Sequence, residues 1–565
     1  MQVGGGSYIA DREGVWELPA WEALARAKSY ALIAGAWFGK AAFLIWLWAH
    51  GFPQPTADSI IFKQPGYLLA HGAPFSLPTA AGWLPHAEQL FAAYVPGYVY
   101  ANAAVFWLFG TSIAVSHGFD MAVHAALVFS VAAWLARSVS PGPRALFILA
   151  STFLLTPIGR PEELATLLAA LGLRLAWTHR SGFRYVAGSC LLGASLATSI
   201  LIGVVALCAL LHVHVLKEGF HARSLRAWAR GALTAGVFAG SLLVPLVIHG
   251  RGHAFEQFSL HAAKRYAPSF FDVLRRDPRW TIPYVSMAAC LLCGVALLLW
   301  LRRLRPYVHA ERTRAILALP AFFLSATLIF ALAKTPSYLY RPISYFLLAA
   351  SCYVISALRS RKLGNWLTER LAGSAMLGLG TAAAIGGFAT ITLSAAPLAW
   401  KRDAVGAGAA IAEIERSIPR TASVGGDGAL WWLLQDGRPF LALRWLGDGH
   451  WPEYVISRLS WKTARPMVLE DSDWAPVILE RYERVDVFAG DAPCLARFGP
   501  VSVEIASGNC DFRFALWRKR AASQSVDPHV GAAESPSHRA APEAASALAA
   551  ARSPAQAEPG RAAAQ

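Results

Sequence analysis

Charge is what this sequence has least of. Only 15% of its 565 residues are Asp, Glu, Lys or Arg, while 55% are hydrophobic and the mean hydropathy is +0.40. A soluble chain of this length needs far more charge on its surface, so that class is excluded. Acids are scarcer than bases, 35 against 51, leaving a formal net charge of +16. Lys/Arg-rich segments with interleaved aromatics are missing outside short polar connections, so the basic balance does not read as nucleic-acid binding. Membrane proteins gather Lys and Arg in cytoplasmic loops, and that accounts for it. Cysteine is also scarce, at seven residues. Five of these fall in apolar runs, and the Cys290/Cys293 pair offers too few ligands for zinc, so they read as small packing residues. An internal repeat is lacking, which speaks against a transporter built from two similar halves. The N-terminus has no short apolar run followed by a small-residue cleavage site, so no removable signal peptide is expected.

What is abundant is apolar runs of membrane-spanning length, roughly 20 residues each. Residues 1–28 read as a cytoplasmic or interfacial segment with Trp16 and Trp21 among charges. Spans are expected at 29–50, 119–137, 145–158, 164–179, a pair within 185–216, 231–250, 281–301, 315–333, 342–358 and 372–396. Lys40, inside the first, either snorkels or faces protein. The connections hold basic clusters: Arg137 and Arg144; Arg174, Arg180 and Arg184; Lys217, Arg223, Arg226 and Arg230; Arg302 to Arg314; Arg359 to Arg370. Placing these clusters in the cytoplasm puts the N-terminus there too. It also requires 185–216 to cross twice, with Thr198, Ser199 and Gly203 at the turn. Segment 97–115, "GYVYANAAVFWLFGTSIAV", would break the alternation if it spanned, and reads as a helix at the outer interface. Residues 51–118 then form one long external loop. The fold class is a polytopic α-helical membrane protein, with about 11 transmembrane helices.

Beyond 399 the character changes. Residues 400–520 mix charges, glycines and short apolar runs, as a small external α/β domain does. "TASVGG", "PEYVIS", "ERVDVFAG" and "DFRFALWRK" read as strands, and "DAVGAGAAIAEIERSI" as a helix. "GGDG" (Gly425 to Gly428) reads as a strand-to-helix turn rather than a phosphate cradle, because the spacing of a dinucleotide fingerprint is absent. Cys494 and Cys510 would close a short disulfide loop in an oxidising compartment. Residues 521–565, rich in Ala, Ser and Pro, read as a disordered tail.

Two features at the outer surface point to chemistry. Asp58, in "HGFPQPTADSIIFK", follows the first span with one basic residue, Lys63, nearby. It is either solvent-exposed filler or a general base. Other outer acids are Glu88 and, in a short turn, Glu162 and Glu163 beside Arg160. The second feature is a set of cations against the topological bias: Arg251, Lys264, Arg265, Arg275, Arg276 and Arg279 in the 250–280 loop, with Lys334 and Arg341 near "AKTPSYLYRP". They contact lipid headgroups and loop acids, or they hold an anionic ligand such as a lipid phosphate.

This layout resembles the GT-C superfamily of membrane glycosyltransferases, which includes protein O-mannosyltransferases and the aminoarabinose transferase of lipid A. The resemblance covers residues 29–400. It rests on the order and spacing of "PTADSIIF", "YVPGYVYANAAVFWLFGTS", "GRPEELATLLAALGL", "LLGASLATSILIGVVALCALL" and "KTPSYLYRPISYFLLAA". Ser199 stands where the family's Thr-Lys turn has lysine, and "VPGY" replaces a Pro-Pro.

The resemblance implies transfer of a sugar from a polyprenyl-phosphate donor to a lipid, glycan or protein acceptor, with inversion, on the outer face of a bacterial inner membrane. Asp58 would be the general base. Arg341, then Arg160, Lys264 and Arg265, would receive the donor phosphate. Glu162 and Glu163 stand where metal-using members carry an Asp, with Glu88 a further acid for the acceptor side. No cofactor is required by this reading, and a divalent metal is left open. The N-terminus would be cytoplasmic and the 400–520 domain periplasmic. The alternatives are a non-catalytic transporter or assembly factor for cell-envelope polysaccharide, and a functional α/β domain merely anchored by the spans.

Overall fold

The computed structural model describes residues 31, 34–35, 37–42, 57–81, 84–135, 139, 141–154, 159–178, 182–250, 252–264, 325, 345–346, 348–349, 352, 413–426, 430–431, 440–443, 451–459, 466–467, 474–488, 495–498, 501–504 and 514–520. The chain divides into two compact units, Met1–Lys519 and Arg520–Gln565. Of the second, only Arg520 is described. The tail at 521–565, the Cys494/Cys510 pair, Arg265 and Arg341 lie outside the described residues, as do the spans expected at 281–301 and 372–396.

Helices dominate the first half. They are Ala57–Ala70 (α1), Gly97–Phe109 (α2), Ile113–Leu135 (α3), Pro141–Leu154 (α4), Pro161–Thr178 (α5), Phe183–Thr198 (α6), Ile200–Glu218 (α7), Ala222–Gly250 (α8) and His253–Lys264 (α9). Two of those described, α3 and α8, are long and apolar enough to cross a membrane. At 1.5 Å per residue, 23 residues of α3 and 29 of α8 reach about 35 and 44 Å, against roughly 30 Å of hydrocarbon. Helix α2, with 13 residues, reaches only about 20 Å. Gly110 (φ +83) ends α2, its N–H bonding to Phe106 O, and the Val115 N–H then donates to Ser112 Oγ as α3 begins.

Several sequence-based boundaries change. The 51–118 segment is not a plain loop: it holds α1, α2 and a 3₁₀ turn, Pro78–Ala80, and its last six residues open α3. Glu162 and Glu163 sit in the first turn of α5 rather than in a turn between spans, favourably placed at the positive end of that helix. Arg223, Arg226 and Arg230 are on α8, not in a loop, because the helix starts nine residues before the expected span. Arg174 and Arg184 are likewise helical.

The 185–216 segment forms two helices. Ser199, in extended backbone, separates α6 from α7. The helices fold back on one another, so that Tyr185 at one end meets His214 at the other, with ring centroids 6.4 Å apart. Close approach depends on small residues, as in membrane bundles generally. A Cβ on Gly188 would come within 2.8 Å of Gly172 O across α5 and α6. One on Gly203 would collide with the backbone of Leu196. Gly203→Val is therefore expected to destabilise by about 1–3 kcal/mol, the usual range for overpacking. The melting midpoint of the detergent-solubilised chain checks this against Gly236→Val, where nothing lies within 4 Å of the added carbon.

The main core is built from α3 to α8 around Leu127, Val131, Phe147, Leu173, Leu192, Leu210 and Tyr345. A second core lies under α1, with Ile61, Phe62, Leu77, Phe91 and Tyr98. After residue 412 a mixed sheet appears, in the order β2-β1-β3-β8-β5. Its strands are Val424–Gly426 (β1), Phe440–Ala442 (β2), Tyr454–Leu459 (β3), Tyr482–Phe488 (β5) and Phe514–Lys519 (β8), with Pro466–Met467 (β4) pairing β3. A separate hairpin joins Leu495–Phe498 (β6) to Val501–Glu504 (β7). β1 runs parallel to β2 and β3, while β8 is antiparallel to β3 and β5. The four strands expected from sequence are all present. Gly425 and Gly426 lie within β1, where a Cβ would press on Pro452 or Leu430, so close packing accounts for both. The sheet touches α1 and its loop: Ala442 joins the second core, and the Trp431 and Tyr67 rings meet edge-on at 5.4 Å.

Candidate active site

Six charged side chains are buried among the described residues: Lys40, Lys63 and Arg160, against Asp120, Glu162 and Glu163. Three cations thus face three carboxylates, as charges removed from water must be matched. Lys63, Asp120, Arg160, Glu162 and Glu163 lie where α1, α2, α3 and the head of α5 meet, whereas Lys40 bonds to α4.

Lys63 on α1 is the centre. Its ammonium donates to Asp120 Oδ1 at 2.8 Å, Asn102 Oδ1 at 2.9 Å and Tyr98 Oη at 3.0 Å, so each of its three donors has an acceptor. The Tyr98 hydroxyl also donates to Asp120 Oδ1, at 2.5 Å, and Asn102 is oriented by its own bond to Tyr98 O. Burial lowers the pKa of Lys63, and Asp120 opposes that shift. Burial, then the Asp120 charge, raises that of Tyr98. Gly66 lets α1 lie against α2, since a Cβ there would sit 2.9 Å from Asn102 Cβ. Helix α1 is therefore fastened to α2 and α3 by one buried ionic knot.

The knot runs on into α5. Gly159, with φ +66, passes close to Asp120, where a Cβ would meet Oδ2 at 3.0 Å. Arg160 donates from Nε to Glu162 Oε2 at 3.2 Å, with its guanidinium 5.8 Å from the Phe62 ring centroid. Glu163 accepts from the Tyr345 hydroxyl at 3.3 Å, and that hydroxyl lies 2.5 Å from His124 Nδ1. Lys40 faces protein, donating to Thr152 O.

The residues singled out from sequence fare differently. Asp58 is the second residue of α1, on a helix rather than in a loop, and its side chain lies outside the described residues. Its backbone position is one turn before Phe62, on the same helical face. Arg160, Glu162 and Glu163 are brought together and buried. Glu88 is exposed in the turns of 84–92. Lys264 ends α9, with its side chain outside the described residues. Sequence reasoning missed Asp120, Tyr98, Asn102, His124 and Tyr345. Asp120 carried a usable signal, a lone carboxylate within an apolar run, which needs a partner.

No protein family and no curated protein matches the chain. Solved structures do. ArnT from Cupriavidus metallidurans in the apo state aligns with a TM-score of 0.51 at 11% identity, over 87% of this chain and 98% of that one. The same protein bound to undecaprenyl phosphate aligns at 0.45 and 12% identity, over 86% and 98%. The likeness to the apo structure is one of fold, and it agrees with the resemblance read from the motifs. This chain therefore shares the overall fold of that ArnT structure.

Proposed function

We propose that this chain is an integral membrane glycosyltransferase of the inner membrane. It moves a sugar from a polyprenyl-phosphate donor to a lipid, glycan or protein acceptor at the outer face. The observation that carries the reading is the buried knot, because it holds the helix bearing Asp58 against the head of α5.

In this reading Asp58 takes the proton of an acceptor hydroxyl as its oxygen attacks the anomeric carbon. The bond from that carbon to the phosphate oxygen breaks, inverting the centre, and polyprenyl phosphate leaves with the electron pair. A long isoprenoid keeps the donor in the bilayer, so the base must sit at headgroup depth. Arg341 receives the phosphate. Arg160 is already engaged by Glu162, which makes it a neutralising group for the knot rather than the first phosphate ligand. Glu162 and Glu163 hold Arg160 and Tyr345, so they are not offered together to a metal, and no step is routed through one. The sheet domain is periplasmic in this topology and packs on α1 through Trp431.

Vesicles carrying the overproduced chain, supplied with radiolabelled polyprenyl-phosphate sugars, test the reading. Label should move from the polyprenyl pool to an acceptor, beyond vector-only membranes, for at least one donor. Arg341→Ala should raise the KM for that donor about 10- to 100-fold, the loss of one hydrogen bond to a charged group. An unchanged KM would remove Arg341 from the phosphate site.

A further inference from the structure

The loop ahead of α2 and the helix after α8 are far apart in sequence, yet one side chain clamps them together. Gln257 on α9 is fully buried. Its Nε2 donates to Pro85 O at 2.6 Å and Leu90 O at 2.9 Å, and its Oε1 accepts the Ala92 N–H at 2.7 Å. Both amide donors and the acceptor are engaged, so the 84–92 turns are held on α9 in one register.

Beside this clamp three ligand-bearing side chains converge. The rings of His86 and His253 have centroids 3.8 Å apart. His253 Nδ1 lies 3.6 Å from Glu256 Oε2, one helical turn on. One ligand atom from each of the three falls within 4.8 Å of the others. His86 is also the single non-glycine residue with positive φ (+58) among those described. A residue held there costs on the order of 1–3 kcal/mol and persists only where its surroundings over-determine it. His86 is exposed, so burial of its ring does not account for that backbone.

We propose that His86, His253 and Glu256 bind one divalent ion of the zinc class, fastening the first external loop to α9. Two imidazoles and one carboxylate suit zinc and cobalt, whereas calcium and magnesium prefer all-oxygen sites. A cation drawn to their centre needs rotamer adjustment only, because the backbone on both sides is already fixed by Gln257. The ion would relieve the close approach of two imidazoles and neutralise Glu256. Three protein ligands leave a fourth position for water. The site goes beyond the glycosyltransferase reading, and its test reads binding without sugar transfer, so either can fail alone.

The test uses the full chain in detergent, purified without a polyhistidine tag, stripped with chelator, loaded with zinc chloride and desalted. Elemental analysis should find one zinc per chain, unaffected by excess magnesium. His86→Ala/His253→Ala should lower retained zinc about tenfold or more, and Glu256→Gln, which preserves size, should weaken binding in the same direction. Cobalt should give visible absorption bands that vanish in the double variant. Wild type that retains no zinc, or Glu256→Gln and the double variant retaining it unchanged, would overturn the site.

Discussion

Asp58→Asn is expected to reduce sugar transfer by about 10²- to 10⁴-fold, the usual worth of a positioned general base. Protein amount, membrane insertion and melting midpoint should stay at wild-type values. The substitution keeps the size of the side chain and removes only the capacity to take a proton. Its position supports the split: Asp58 stands in the first turn of α1, ahead of the buried stretch Ile60 to Phe62 that anchors the helix. A loss of transfer accompanied by a comparable loss of folded protein would make Asp58 a structural residue instead. Transfer measured under single-turnover conditions, together with melting of the same preparation, separates the two.

The second large effect concerns stability. Lys63→Met should destabilise the chain by about 3–5 kcal/mol, because it leaves Asp120 buried without its counter-charge. Lys63 and Asp120 are both buried and lie 2.8 Å apart, so water cannot replace the missing ammonium without opening α1. Asp120→Asn should fall short of that loss, since an amide still accepts a bond from Lys63 through its oxygen. The double variant Lys63→Met/Asp120→Leu should regain much of the stability lost by Lys63→Met, since a buried pair is worth little net against apolar residues of similar volume. A double-mutant cycle on melting midpoints checks this. Additive losses would mean the two groups do not interact as described. Transfer should fall with Lys63→Met as well, through the loosened helix that carries Asp58.

Asp58 stands in a sequence motif, whereas the partner of Lys63 is set only by the packing of α1 on α2 and α3. The helices α3 to α8 were legible because hydrocarbon demands long apolar runs, and the sheet strands because their alternating patterns survive in short windows. The pairing of α6 with α7 followed from charge alternation plus Ser199 and Gly203. Helix ends were misjudged where arginines continue a helix beyond its apolar stretch, as on α8, since a long side chain can reach water from a helical position. Helix α1 falls within the segment that charge alternation makes an external loop, and alternation alone carries no signal for a helix inside it. Gly66 serves the contact with Asn102, and both Pro65 and Gly66 are accommodated within the 14-residue helix.

For the site, the nearness of Arg160, Glu162 and Glu163 was visible in one short stretch. Their burial was not. The knot joins residues 63, 98, 102 and 120, brought together by the turns between three helices rather than by any spacing along the chain. Asp120 needed a cation and Lys63 needed an acid, and those demands pointed at each other across 57 positions. Two unmatched charges near apolar segments are a usable signal when each is read as a requirement for a partner.

The proposed function requires that the outer end of this bundle bind a polyprenyl phosphate. Native mass spectrometry of the purified chain with undecaprenyl phosphate, in competition with phosphatidylglycerol, tests it most directly. One undecaprenyl phosphate should be retained per chain, in preference to phosphatidylglycerol, with retention lost in Arg341→Ala and kept in Asp58→Asn. Equal retention of both lipids by the wild-type chain, indifferent to Arg341, would contradict the proposed function.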